Sequence, residues 1–452
     1  MSEIYQADAY REKASGVSLG AFPDGPRWRP VSRIAFRICF IYFTLYCLTT
    51  QIIISLFPIP VEDIDFLDPS QFWPVRPLVF WTAAHVFGAK LPLVYTGSGS
   101  GDKTFDWVLA FCTLVASAAA TALWFYLDRK RESDITLYKW FRVFLRFALA
   151  SQMVVYGLAK AVPLQMPFPY LTRLLEPYGN FSPMGVLWSS IGASPAYEIL
   201  VGCAELLAGI LLIFPRTAVL GVLLALVDSI EIFMLNMTYD VPVKLFSFHL
   251  ILMSLFLLAP ELTRLGDFFL HHRKAELSRQ PQLFRRPRAN RIALIVQVIF
   301  GLWLVGTNVF GSWRAWHKYG GGRAKSPLYG IWTVDEMSVN GKVQPPLLTD
   351  DIRWRRVIFD FPERATFQHM DDSLQWINVA INEKDNTIAL TKGGDKNWKG
   401  SFKFQRPAAD RLILDGNMDY RQVRMQLQLM DRNRFLLVNR GFNWAQEYPF
   451  NR

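Results

Sequence analysis

Four consecutive apolar stretches of this chain carry ionisable side chains near one end. "RFALASQMVVYGLAKAV" holds Tyr156 and Lys160 one helical turn apart, and "SPAYEILVGCAELLAGILLIFPRT" holds Glu198 with Glu205 two turns further on. The next stretch carries Asp228 and Glu231, and "LNMTYDVPVKLFSFHLILMSLFLLAP" carries Asn236, Asp240, Lys244 and His249. A charge at mid-bilayer costs at least ~2.5 kcal/mol, so such groups need partners or a task. Lys160, Glu205, His249 and Asp228 are the types that exchange protons with a substrate. Tyr156, Glu198, Glu231, Asn236, Asp240 and Lys244 would line the ligand's side of the same pocket. The competing expectation is structural ion pairing, Lys160 with Glu205 and Lys244 with Asp228. His249, Glu205 and Asp228 are also metal-ligand types, but no spacing motif demands a metal.

The elements that must position these groups are membrane spans. Seven stretches are long and apolar enough, at about 20 residues each, to cross a bilayer. They read as Ile34–Phe57, Phe105–Leu127, Phe141–Ala159, Tyr197–Phe214, Ala218–Leu235, Val243–Ala259 and Ile292–Phe310. Phe72–Phe87, interrupted by Pro74, Arg76 and Pro77, is too short and broken, and reads as an interfacial or loop helix rather than a span. Lysines and arginines near the span ends collect in alternate loops, on one side of the membrane, which predicts a cytoplasmic N-terminus. Short links, "FPRT" and "NMTYDVP", make the fourth to sixth spans antiparallel neighbours. In that orientation the residues named above, from Tyr156 to His249, fall in the outer half of the membrane. Pro242 is expected in the first turn of the sixth helix. Arg33, Arg37, Arg142 and Arg146 fall near the inner face, where they are expected to snorkel to headgroups.

Composition agrees with a membrane protein: 51% of the 452 residues are hydrophobic, and many of the charges behind the net +11 sit in loops beside spans. No nucleic-acid-binding motif is present, which excludes the usual meaning of a basic chain. Cys39, Cys47, Cys112 and Cys203 all fall inside apolar segments with no CxxC pair, so they read as small buried hydrophobes. The first thirty residues, with Asp8, Glu12 and Asp24, are too polar for a cleaved signal peptide.

After "KYGGGRAKSP" the pattern changes to short alternating runs, among them "WRRVIFDF", "LQWINVAI", "QVRMQLQL" and "RFLLVNRG", separated by turn formers. Period-two alternation with regular turns predicts an antiparallel β-barrel or sandwich. The fold class is therefore an α-helical integral membrane bundle of about seven transmembrane helices plus a C-terminal all-β domain. The expected organisation is a cytoplasmic segment (1–32), two spans with a long outer loop (33–139), and a four-helix core (140–262). A basic loop and seventh span (263–310), a linker (311–327) and the extracytoplasmic β-domain (328–452) follow.

Over 140–262 the chain resembles the DoxX-like family of four-helix bacterial membrane proteins. The shared features are an Arg-containing helix ending in Gly157 and Lys160, then Glu205 before Gly209, then a basic turn at Arg216. That resemblance implies a bacterial inner membrane and an association with quinone-linked chemistry, since the family includes a subunit of a thiosulfate:quinone oxidoreductase. The layout of bundle plus outer β-domain also resembles the vitamin K-dependent carboxylase group, at the level of architecture alone. "LYGIW", with Gly330 and Trp332, is similar to the Gly-x-Trp start of lipocalins, which implies a late-strand arginine on the tryptophan, here Arg440. About 125 residues would suit a ten-stranded barrel of fatty-acid-binder size.

Three functions fit. A quinone-linked oxidoreductase, or an accessory subunit of one, would use the pocket for protons and draw its electrons from a partner or substrate, because no haem, dinucleotide or CxxC motif is present. A carrier would pass a lipophilic or anionic solute to the β-domain. An assembly factor would bind an envelope protein through the aromatic and basic C-terminus "RGFNWAQEYPFNR".

Overall fold

The computed structural model describes residues 28–58, 73–129, 133–272 and 282–451. The N-terminal segment through Arg27 and the part of the basic loop bearing Arg273, Lys274 and Arg279 lie outside the described residues. Among the described residues seven helices are long and apolar enough to cross a membrane. They are α1 (Pro30–Thr49), α4 (Thr104–Leu127), α5 (Ile135–Ala161), α7 (Pro195–Ile213), α8 (Ala218–Thr238), a run from Lys244 to Phe269, and α11 (Pro287–Lys318). The run comprises α9 (Lys244–Leu258), a 3-10 turn and α10 (Leu262–Phe269). Among the described residues before the β-strands, three further helices are too short to span: α2 (Gln51–Leu56), α3 (Val75–His85) and α6 (Pro183–Gly192). The chain is a multi-pass membrane protein with a C-terminal β-barrel. It divides into two compact units, one of Met1–Met153, Leu207–Met234 and Pro242–Val305, the other of Val154–Leu206, Leu235–Val241 and Gly306–Arg452.

In unit one the apolar core is built from α1, α5, α8 and α9, with Phe43, Cys47, Leu145, Leu149, Ala225 and Met253 among its buried members. The short α3 lies on α4, packing Val79 and Ala83 against Phe105 and Val108. Of the four arginines expected to snorkel, Arg37 turns inward instead. Arg37 is fully buried, with Nε 2.8 Å from Asp134 Oδ2 and an NH2 2.9 Å from Asp128, and its guanidinium lies 4.4 Å from the Trp124 ring. Two carboxylates within reach make an inward turn cheaper than a reach to headgroups. The start of α9 is fixed from a distance: Asp102 accepts from the Lys244 and Leu245 amides at 2.8 and 2.9 Å. Pro242 therefore precedes the helix instead of opening it, and its carbonyl accepts from Gly101 N at 2.8 Å.

In unit two, nine strands run β1 (Gly330–Val339), β2 (Lys342–Val343), β3 (Trp354–Phe361), β4 (Arg364–His369), β5 (Leu374–Asn382), β6 (Thr387–Lys392), β7 (Asp395–Ala408), β8 (Arg411–Met418) and β9 (Arg421–Leu429). All neighbours are antiparallel and β9 returns to β1, so eight strands close while β2 pairs only with β1. Closure removes both sheet edges, which explains why the apolar "RFLLVNRG" forms no further strand. Leu436–Asn439 is instead a short helix, α12. Eight strands enclose just enough space for side chains. Trp332, Phe359, Phe367 and Phe402 are buried in that interior, and Trp354 stacks on Phe367 with centroids 3.6 Å apart. Trp332 Nε1 donates to Leu328 O at 2.8 Å, and the arginine over its ring is Arg406, at 5.7 Å. Arg440 lies over Phe450 instead, because α12 carries it away from the strands.

The expected linker is also structured. Residues 311–318 are the last turns of α11, and Arg323 donates to Asp360 at 2.8 Å while facing Phe361 at 4.3 Å. Asp360 accepts at 2.9 Å from the amide of Leu171, whose side chain is buried with Ile331 and Ile358. Burial pushes the Tyr170 and Tyr329 hydroxyls above the usual tyrosine range, and for Tyr329 the Asp360 carboxylate adds to that push. The segment after α5 thus forms one side of the barrel's packing. Asp360→Ala should lower the unfolding free energy of this unit by about 3 kcal/mol, because Arg323 and the Leu171 amide lose their acceptor. Limited proteolysis against denaturant reads the loss directly, with cleavage expected first in 162–176.

Candidate functional site

A buried ionic centre in unit two depends on the closeness of two helices. A Cβ at Gly157 on α5 would lie 2.5 Å from Leu206 N, and one at Gly202 on α7 would lie 2.2 Å from Ala161 N. Small residues allow such backbone contact between membrane helices. Each glycine stands three residues before a charge, and the crossing brings the two charges together: Lys160 Nζ donates to Glu205 Oε1 at 2.6 Å. Lys160 is 6% exposed and Glu205 1%, so the pair is shielded from water. The Tyr156 ring lies 5.8 Å from the ammonium. Glu198, fully buried, accepts from the Met166 amide at 2.9 Å and lies within the field of Lys160. Its second oxygen has no hydrogen-bond partner among the described residues. This arrangement can hold a proton between two carboxylates and one amine.

A second centre lies in unit one. His249 is 3% exposed on α9, and its Nδ1 lies 2.7 Å from Leu245 O, a contact that needs a proton on Nδ1. Nε2 is then an acceptor, and the Tyr42 hydroxyl of α1 donates to it at 2.6 Å. Tyr46, one turn further along α1, stacks on the imidazole with centroids 3.8 Å apart and planes 6° from parallel. The ring is thus fixed in tautomer by one contact and in plane by another. A phenol hydrogen-bonded to imidazole in an apolar core can pass its proton without a water molecule.

The remaining expected residues are placed as follows. Asp228, on α8, is half-buried and Glu231 is exposed. Asn236 is buried and its carbonyl accepts from Val241 N at 3.0 Å, closing a turn in which Asp240 is exposed and adopts a φ of +52°. Lys244 Nζ lies 3.8 Å from Asp102. Lys160, Glu205, Glu198, Tyr156, Asn236 and Asp240 belong to unit two, and His249, Asp228, Glu231 and Lys244 to unit one. Of the two expected ion pairs, Lys160–Glu205 is present. Among the described residues no group of three or more His, Cys, Asp or Glu side chains is arranged to hold a metal. The four cysteines are free, and Cys203 is exposed while Cys47 is buried.

Tyr42, Tyr46 and Gly202 escape a reading of the sequence by charge. The signals were present: Tyr42 and Tyr46 are one turn apart in "YFTLYC", and Gly202–Glu205 repeats the Gly157–Lys160 spacing on the partner helix.

Over 118 residues, 26% of the chain, the sequence is 36% identical to the uncharacterized protein YwoB of Bacillus subtilis (strain 168), and the match takes in 72% of that protein. No family model and no solved structure matches the chain. Neither finding supports the DoxX-like resemblance.

Proposed function

Because the chain belongs to the family of YwoB, whose name assigns no activity, we propose a function from its own buried groups: a quinone-linked membrane oxidoreductase, or the membrane subunit of one. The observation that carries this reading is the Tyr42–His249 hydrogen bond inside the membrane-spanning helices. A quinone takes up two electrons and two protons on becoming a quinol, and the electrons come from a reduced partner or substrate. What this chain supplies is proton handling. His249 Nε2 is held as an acceptor, Tyr42 is its donor, and Tyr46 keeps the imidazole in plane. Lys160 with Glu205 and Glu198 forms a second proton-exchanging group. The apolar surroundings suit a lipophilic substrate and keep bulk water from competing for the protons.

The positive-inside pattern supports an orientation with the N-terminus cytoplasmic and the β-barrel extracytoplasmic. The carrier reading draws less support, because the barrel that would receive a solute is filled by its own side chains.

Titration of the detergent-purified protein with decylubiquinone, followed by tryptophan fluorescence, tests the proposal. Wild type should bind saturably, and Tyr42→Phe and His249→Leu should each weaken binding about tenfold, the equivalent of one lost hydrogen bond of ~1.4 kcal/mol. Saturable binding that both folded variants retain unchanged would remove the Tyr42–His249 pair from the site.

A further inference from the structure

Unit one contains a second chemical feature that the redox reading leaves unused. Where α5, α8, α9 and α11 converge lies a cavity of about 730 Å³. Among the described residues five cations line it, Lys139, Arg142, Arg146, Arg216 and Arg291, against one carboxylate, Glu261. That carboxylate is already engaged by Arg264 at 2.7 Å. Among the described residues none of the five cations forms an ion pair with an acidic side chain.

The two deepest cations make the imbalance acute. Arg142 and Arg146 are four residues apart on α5, so their like charges share one face of the helix, an arrangement that destabilises a helix on its own. Arg142 donates to Leu257 O at 3.2 Å, and Arg146 donates to the Gln297 side chain; both partners are neutral. Arg146 is only 7% exposed, and its Nε is buried without a hydrogen-bond partner among the described residues. A buried donor on an uncompensated charge is costly unless an anion completes it. Between the cations the wall is apolar, formed by Val219, Leu257, Leu258 and Leu294 among others.

We infer that this cavity binds a phosphate group carried on an apolar body, and that an anionic phospholipid of the surrounding leaflet supplies it. Arginine forks match phosphate oxygens in pairs, which carboxylate-free arginine clusters otherwise lack. Basic pockets between membrane helices hold anionic headgroups in this manner, and the apolar wall accommodates the start of an acyl chain. The volume falls within the 300–1,000 Å³ typical of sites for small amphiphiles. The lipid would neutralise Arg142 and Arg146 and fasten α5 to α11, so lipid composition would set the stability of the helical unit. This site is independent of the quinone reading, since none of its lining residues is Tyr42, Tyr46, His249, Lys160 or Glu205.

The test reconstitutes the full chain in nanodiscs of phosphatidylcholine alone and of phosphatidylcholine with phosphatidylglycerol. Native mass spectrometry reads retained lipid, and thermal unfolding reads its effect. Wild type should retain phosphatidylglycerol and melt several degrees higher in the mixed discs. Arg146→Gln with Arg142→Gln should lose both effects. Arg216→Gln with Arg291→Gln, at exposed positions that folding tolerates, should weaken retention about tenfold. Equal melting in the two lipids, or retention unchanged in folded Arg216→Gln with Arg291→Gln, would overturn the inference. A separate arm adds inorganic phosphate to the phosphatidylcholine discs. A rise matching that of phosphatidylglycerol would keep the phosphate site but assign it to a soluble phosphate, overturning the lipid as its source.

Discussion

Glu205→Ala should lower the unfolding free energy by about 3–5 kcal/mol, a large share of the total for a unit of this size. The cause is the ammonium left behind. Lys160 is 6% exposed, and the carboxylate 2.6 Å away is what makes its charge tolerable there. Lys160→Ala should cost a similar amount, through the carboxylate it strands. Lys160→Met combined with Glu205→Leu should recover most of the loss, because well-packed apolar residues replace buried ion pairs at little net cost. Unfolding in a denaturing-detergent titration, followed by circular dichroism, measures all three variants. Recovery in the double variant with loss of quinone binding would separate the pair's functional contribution from its stabilising one.

Gly202→Val should cost still more, above about 4 kcal/mol, and leave little folded protein. The neighbours that a side chain at this position meets are all backbone: Ala161 N at 2.2 Å, Gly157 O at 2.7 Å and Lys160 C at 2.7 Å. Backbone cannot rotate away as a side-chain tip can, so α5 and α7 must separate and the Lys160–Glu205 contact must lengthen. Gly266, whose Cβ would meet nothing within 4 Å, supplies the control: Gly266→Ala should leave expression and melting temperature unchanged. Expression yield and size-exclusion profile in mild detergent distinguish the two outcomes at once.

The seven spans were legible because bilayer thickness sets a minimum length that few soluble helices meet. The sixth was read as Val243–Ala259 and the helix runs Lys244–Leu258. The seventh was read short, as Ile292–Phe310, because "GSWRAWHK" looks like a polar exit although α11 continues through it to Lys318. The β-domain was legible as alternation, but its closure was not, since β1 and β9 meet across the whole domain. Without closure, "RFLLVNRG" reads as one more strand and Arg440 as the partner of Trp332. In the bundle, the ion pair expected as the alternative to a catalytic role, Lys160 with Glu205, is present. Arg37 was misread because its carboxylates, Asp128 and Asp134, come more than ninety residues later. Tyr42 was missed for the same reason, as its partner His249 lies 207 residues away. Such pairings are properties of helix packing, which local periodicity does not encode.

The central claim is that the buried phenol–imidazole pair serves a quinone. Mass spectrometry of the organic extract from protein purified in mild detergent tests it most directly, comparing wild type with Tyr42→Phe combined with His249→Leu. The account predicts a quinone in near-stoichiometric amount from wild type and its loss from the folded variant. A folded wild-type protein whose extract holds no quinone, or a variant that retains as much as wild type, would contradict it.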